Sequence, residues 1–194
     1  MLQQYASHIV DFLYKNTTLD KSKRAIYQYG TELTLSTVTA IVSILCLAVL
    51  LGNIFWGITF LIVFFSLRIP GGGYHATSYR NCFILSNCVF LFTYSASTFF
   101  LNFSNSLVLT LLLGSCAIIL VLAPISNPHH PISNDTFRKN KCIVRGFIIV
   151  GTTLILLGKW LMSFHSLFSI YSASVVAVAA MMILAKLRGG TINE

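Results

Sequence analysis

Charge is what this chain has least of. Only 9% of its 194 residues are Asp, Glu, Lys or Arg, against about 25% in soluble domains. Hydrophobic residues make up 56% and the mean hydropathy is +0.79. A soluble core of this size could not hide that much apolar surface, so an ordinary soluble domain is excluded. Segments of strict apolar–polar alternation are missing too, which excludes a membrane barrel. No two of the five cysteines stand at C-x-x-C spacing, so neither a zinc box nor a redox box is expected. An N-terminal secretory signal is not expected, because about 30 mixed residues precede the first long apolar run. Nucleic-acid binding has no motif to support it.

What is present is a series of apolar runs near the ~20 residues that cross a bilayer core of ~30 Å. Six can be drawn, at 33–51, 54–67, 82–101, 107–124, 143–161 and 167–186. The expected fold is all-α, a single membrane-embedded domain over 1–194 with about six transmembrane helices. The second run is short, and Arg68 can extend it by reaching to the interface. Gly52-Asn53, Asn102 to Ser106 and Ser163 to Ser166 read as tight turns of helical hairpins. Ahead of the first run, residues 1–30 carry Leu2, Tyr5, Ile9, Phe12 and Leu13 at roughly helical spacing, with His8, Asp11 and Lys15 on or near the polar side. That pattern fits an amphipathic N-terminal cytoplasmic helix on the membrane surface; a helix packed on the cytoplasmic loops fits equally well. The small-residue run Ser172 to Ala180 resembles a close-packing helix face, either within the chain or against another copy.

Positive charge orients these spans. With both termini inside, the cytoplasmic side receives Lys15, Lys21, Lys23, Arg24, Arg68, Arg80, Arg138, Lys139, Lys141, Arg145, Lys186 and Arg188, and the outer side only Lys159. Such a bias puts the termini in the cytoplasm, so the net charge of +8 is first a topology signal. Pro70, Pro124, Pro128 and Pro131 lie in or beside two cytoplasmic loops, at 68–81 and 125–142, where proline can end a helix. Cys46, Cys88 and Cys116 fall inside spans, as small hydrophobes. Cys82 and Cys142 fall at cytoplasmic boundaries, where thiols stay reduced.

The first loop concentrates the chemistry. It reads Arg68-Ile-Pro-Gly-Gly-Gly-Tyr-His75-Ala-Thr-Ser-Tyr-Arg80-Asn-Cys82. A cysteine near the first turn of a span meets unpaired N–H groups and a helix dipole that favour negative charge, and Arg80 and Arg68 add electrostatic support. Cys82 is therefore the plausible nucleophile and His75 its base, a Cys-His dyad. On one continuous helix these two would stand roughly 10 Å apart, beyond hydrogen-bond reach of about 3 Å, so the chain must fold back between them. Glycine permits such a reversal, and the bare backbone at Gly72 and Gly73 can line an oxyanion hole. Taken singly, a boundary histidine is usually a polar anchor, a glycine triplet a turn and a boundary cysteine incidental. Their combination with arginine on a reduced face points to catalysis.

Arg68-x-x-x-Gly72-Gly73-x-His75-Ala76 followed by Cys82, between the second and third of six spans, resembles the accessory gene regulator B family of bacterial membrane cysteine endopeptidases. The likeness extends to chain length, span layout and a proline-rich second loop beginning Ala123-Pro124-Ile125. It implies a hydrolase of the bacterial cell membrane that removes the C-terminal tail of a short signalling propeptide and promotes thiolactone or lactone macrocyclisation for quorum sensing. It implies no cofactor and no metal, a propeptide with an amphipathic leader and an acidic tail, the lipid bilayer as setting, and a homodimer. Arg138, Lys139 and Lys141 in the second loop would attract the acidic tail, although basic residues at a span boundary often serve only topology and headgroup contact. Asp135 or Asn134 could orient His75. The adjacent His129 and His130 are a poor metal site without further ligands. Two other classes compete: a small polytopic transporter, which the near absence of ionisable residues inside the spans disfavours, and a peptide-anchoring scaffold, which would tolerate loss of Cys82.

Overall fold

The computed structural model describes residues 2–16, 23–72, 79–125 and 133–187. They form α1 (Leu2–Asn16), α2 (Arg24–Leu50), α3 (Ile54–Gly71), α4 (Tyr79–Asn102), α5 (Asn105–Leu122), α6 (Asn134–Met162) and α7 (His165–Leu187), with no strand among the described residues. The helices α2 to α7 are each long and apolar enough to cross a membrane, as the six runs require. The chain is a multi-pass membrane protein. Large apolar side chains face outward all round the bundle, among them Val42, Phe55, Ile62, Phe92, Leu154 and Trp160. That inversion suits a hydrocarbon solvent, in which every backbone group must be satisfied within its own segment. Side-chain hydroxyls obey the same demand: Thr31, Thr34, Thr37 and Thr39 donate to the carbonyls four residues earlier, at 2.7–2.9 Å.

Successive helices alternate in direction, which divides the bundle into a turn end and a loop end. At the turn end, Gly52 (φ 81°) reverses the chain and the Asn53 side chain caps α3 by accepting from the Trp56 N–H at 3.2 Å. Ser163, in the left-handed region, closes α6. Cross-links tie this end together: Trp56 Nε1 donates to Ser166 Oγ at 2.7 Å, Tyr94 Oη to the Leu51 carbonyl at 2.7 Å, and Lys159 Nζ to Asn105 Oδ1 at 2.7 Å.

The axis of the bundle is α7. It packs against α3, α4, α5 and α6, and its small residues from Ser169 to Ala179 are nearly all buried. Small side chains let backbones approach closely, so this stripe serves packing within the chain. Ser169 Oγ reaches the Ser97 carbonyl of α4 at 2.5 Å, and Tyr171 meets Thr152 of α6 at 3.1 Å. Between α2 and α3, Gly57 lies so close to Ala48 that an added Cβ would stand 2.5 Å from the alanine's own.

Three helix ends differ from the apolar runs. Helix α3 continues through Arg68 and Pro70 to Gly71. Helix α6 begins at Asn134, nine residues before its apolar run, with Ser133 capping it by accepting from the Thr136 N–H at 3.4 Å. Helix α2 begins at Arg24 because its polar first turns have partners in α1: Arg24 pairs with Asp11 at 2.5 Å, and Gln28 donates to the Gln3 carbonyl at 3.3 Å. Helix α1 packs against α2 through buried Ala6 and Val10 and leaves Tyr5, Ile9 and Phe12 exposed.

Candidate functional site

The loop end gathers the ends of α3 and α5 and the starts of α2, α4 and α6. Cys82 stands in the first turn of α4 and is half-buried. Tyr79 stands three residues before Cys82, and Ser86 and Phe90 four and eight residues after it, in step along one face; Ser86 and Phe90 are buried, so the thiol side of α4 faces the bundle. Across from it, Arg68 in the last turn of α3 is half-buried, and its guanidinium lies within electrostatic range of the Cys82 sulfur. An aromatic column holds Arg68 from below. Its Cζ sits 5.1 Å from the Phe64 ring centroid, Phe64 stacks on Phe60 at 5.0 Å, and Phe60 meets Phe90 of α4 at 5.2 Å. The Arg68 side chain is thus held over an aromatic ring and half-buried rather than extended along lipid. Arg80 is exposed, and two residues on a helix do not share a face. It therefore adds field from the side of α4 away from Cys82.

The two loops are stitched together where they begin. Gly72 caps α3 at φ 70° and ψ −154° and forms a parallel bridge with Ile125, whose N–H donates to the Gly71 carbonyl at 3.0 Å. Only glycine fits at position 72: a Cβ there would lie 2.1 Å from the Ile125 carbonyl oxygen, in a backbone region that L side chains rarely adopt. Gly71 is buried against α7, and a Cβ would press on the flexible end of Met182 at 2.6 Å. Pro70 and Pro124 are also buried, so the prolines help close the loop end as well as punctuate it.

His75 and Gly73 lie outside the described residues, as do His129 and His130. Of the basic trio, Arg138 and Lys139 are exposed, while Lys141 is half-buried with Nζ 5.8 Å from the Phe137 ring centroid. All three sit on the first turns of α6 rather than in a loop. Asn134 and Asp135 are exposed in the same first turn. Beside these residues, an open groove of 510 Å³ runs between α3 and α6, lined by Phe65, Ser66, Ile69, Pro70, Asn140, Ile143 and Phe147.

One residue escaped the sequence reading. Glu32 on α2 is only 8% exposed and accepts from Gln28 Nε2 at 2.9 Å. The signal for it was an acid placed directly before an apolar run, where an ionisable group is a functional candidate by default.

A family model described as Accessory gene regulator B matches residues 6–187. Among curated proteins, AgrB-like protein 2 of Clostridium perfringens (strain 13 / Type A) is 26% identical over 161 residues, which is 78% of this chain and 73% of that protein. No solved structure matches the chain.

Proposed function

The chain belongs to the accessory gene regulator B family, and from that premise we propose that it is a membrane cysteine endopeptidase that trims and cyclises a quorum-sensing propeptide. The observation that carries this reading is the position of Cys82. Half-buried Cys82 stands in the first turn of α4, on the face turned to the bundle, within electrostatic range of Arg68 at the end where both loops begin.

The reaction follows from the residue types. The Cys82 sulfur attacks the carbonyl carbon of the scissile bond, and His75 takes the thiol proton and returns it to the departing amine. The C–N bond breaks, the C-terminal tail leaves, and the peptide is held as a thioester on Cys82. An internal cysteine thiol of the peptide then attacks that thioester, forming a thiolactone and returning Cys82 as a thiol. Exchange of one thioester for another is nearly balanced in energy, so ring closure competes with hydrolysis when the site is shielded from water. Gly72 and Gly73 offer backbone N–H groups for the oxyanion. Arg138, Lys139 and Lys141 provide positive charge for an acidic tail, and the groove between α3 and α6 offers apolar room next to them.

The setting completes the proposal. Both termini and both loops face the cytoplasm, on the strength of the charge bias. Helix α1 lies in the interface with Tyr5, Ile9 and Phe12 turned to lipid, which puts a surface-bound peptide leader at the level of the loops. The family implies a homodimer; because the small-residue stripe of α7 is occupied within the bundle, the dimer forms through other faces.

The test is direct. The full chain is reconstituted in lipid with the small peptide encoded beside its gene, and mass spectrometry searches for a covalent peptide adduct. The expected result is an adduct at Cys82 that is lost in Cys82→Ala, with membrane insertion unchanged. Processing that persists in Cys82→Ala leaves only the scaffold reading standing.

A further inference from the structure

A second open groove lies on the seam between α5 and α7. Its volume is 710 Å³, and its walls include Ile118 and Val121 of α5 and Ile183 and Leu187 of α7. None of its lining residues comes from α3 or α4, the helices that carry Arg68 and Cys82. Lys186 is the one polar side chain in the lining. It is exposed, and among the described residues no carboxylate pairs with it.

Depth decides what such a groove holds. Helices α5 and α7 are both long and apolar enough to span, and they end at Leu122 and Leu187. From Leu122 back to Ile118 the groove enters the hydrocarbon by about 6 Å, at 1.5 Å per residue, with Lys186 at its mouth. No water is available there to fill apolar space, so an acyl chain or a second protein surface must. Charge chooses between them. A two-fold contact places the same patch on both copies, which would bring two Lys186 side chains to one interface with no carboxylate in either lining. A phospholipid meets both parts of the groove. Its chain covers the apolar walls, and its phosphate lies at the level where the helices end. A lysine stem can follow such a wall while its ammonium reaches the headgroup layer, and basic residues lining a pocket between spans select anionic headgroups.

We propose that the α5–α7 groove is a binding site for one anionic phospholipid, with an acyl chain along Ile118, Val121 and Ile183 and the phosphate on Lys186. A zwitterionic lipid fits the same walls, but its own ammonium competes with Lys186 for the phosphate, so net negative headgroups are preferred. The site also has a structural neighbour of consequence. Met182, beside Ile183 on α7, is buried with its side-chain end against Gly71, next to the bridge that joins the loops. Lipid on the outer side of this turn braces the part of α7 on which the loop end rests. The site stands whether or not Cys82 is the nucleophile.

The experiment uses the full chain in detergent, given phosphatidylglycerol or phosphatidylcholine with identical acyl chains. Native mass spectrometry reads the bound lipid, and phosphatidylglycerol with a photoreactive acyl chain maps the contact after digestion. The parent chain holds phosphatidylglycerol about fivefold more tightly than phosphatidylcholine, as one lysine at the headgroup layer provides. Cross-links fall on 117–122 and 183–187. Lys186→Gln brings the two lipids to within about twofold of each other. Val121→Trp, which fills the groove from an exposed position, weakens both lipids by about fivefold or more. Lys15→Gln removes an exposed lysine of α1, which packs against α2, and changes neither. A preference kept in Lys186→Gln, an equal loss in Lys15→Gln, or cross-links confined to other helices each overturn the proposal. A dimer that Val121→Trp dissociates while lipid binding is unchanged overturns it in favour of a second copy.

Discussion

A single hydrogen atom's worth of space decides what position 72 tolerates. With φ at 70° and the Ile125 carbonyl oxygen 2.1 Å from where a Cβ would stand, Gly72→Ala must break the bridge between the loops. The expected cost is about 1–3 kcal/mol, seen as a lower melting temperature of the protein in lipid, together with loss of propeptide cleavage. Gly146→Ala is the control, since nothing lies within 4 Å of its Cβ position; it leaves cleavage intact and is neutral or stabilising by up to about 1 kcal/mol, as expected for alanine in a helix. Unchanged cleavage and melting in Gly72→Ala would mean that the loops do not depend on their contact. The sequence made this site half legible. A histidine, a cysteine and a glycine run stand out by type, and Arg68 by its place at the end of a span. The relation of Gly72 to Ile125 joins residues about fifty apart in the chain, and no local pattern encodes it.

At the scale of the helix, α7 and α6 carry separate expectations. Ser172 on α7 is fully buried, its hydroxyl bonded to the Phe168 carbonyl at 2.7 Å. Ser172→Leu overpacks the axis and should cost about 1–3 kcal/mol, measured by thermal denaturation in detergent; an unchanged melting point would refute the tight packing of that stripe. On α6, the double change Arg138→Gln/Lys139→Gln alters two exposed side chains and so leaves folding alone. It should raise KM for an acidic-tailed peptide by roughly threefold to tenfold at low salt, with the difference shrinking as salt rises. A KM that does not move would confine these residues to topology. The spans themselves were legible because about 20 apolar residues leave the chain few other options. The helix ends were not. Polar residues at 134–142 read as loop, yet they are helical, because Ser133 caps α6, and α2 begins nine residues before its apolar run, where α1 packs against it.

At the scale of the whole molecule, the proposed topology puts the loop end in the cytoplasm, by the charge bias of the loops. Exposed Cys142 lies near that end of α6 and exposed Ser163 closes the opposite end. In cells, a membrane-impermeant maleimide should label Ser163→Cys from outside at once, but label Cys142 only after permeabilisation. The opposite pattern inverts the topology and removes the substrate from reach of the site. The arrangement of the bundle also bears on how it is made. Its axis, α7, follows the other described helices in the chain, so α2 to α6 leave the ribosome before the pillar they pack around. A chain stalled before residue 165 would present an open ring of helices with its central serines and alanines missing. Such a product is a natural target for membrane quality control, and final assembly is expected to be a step that follows synthesis.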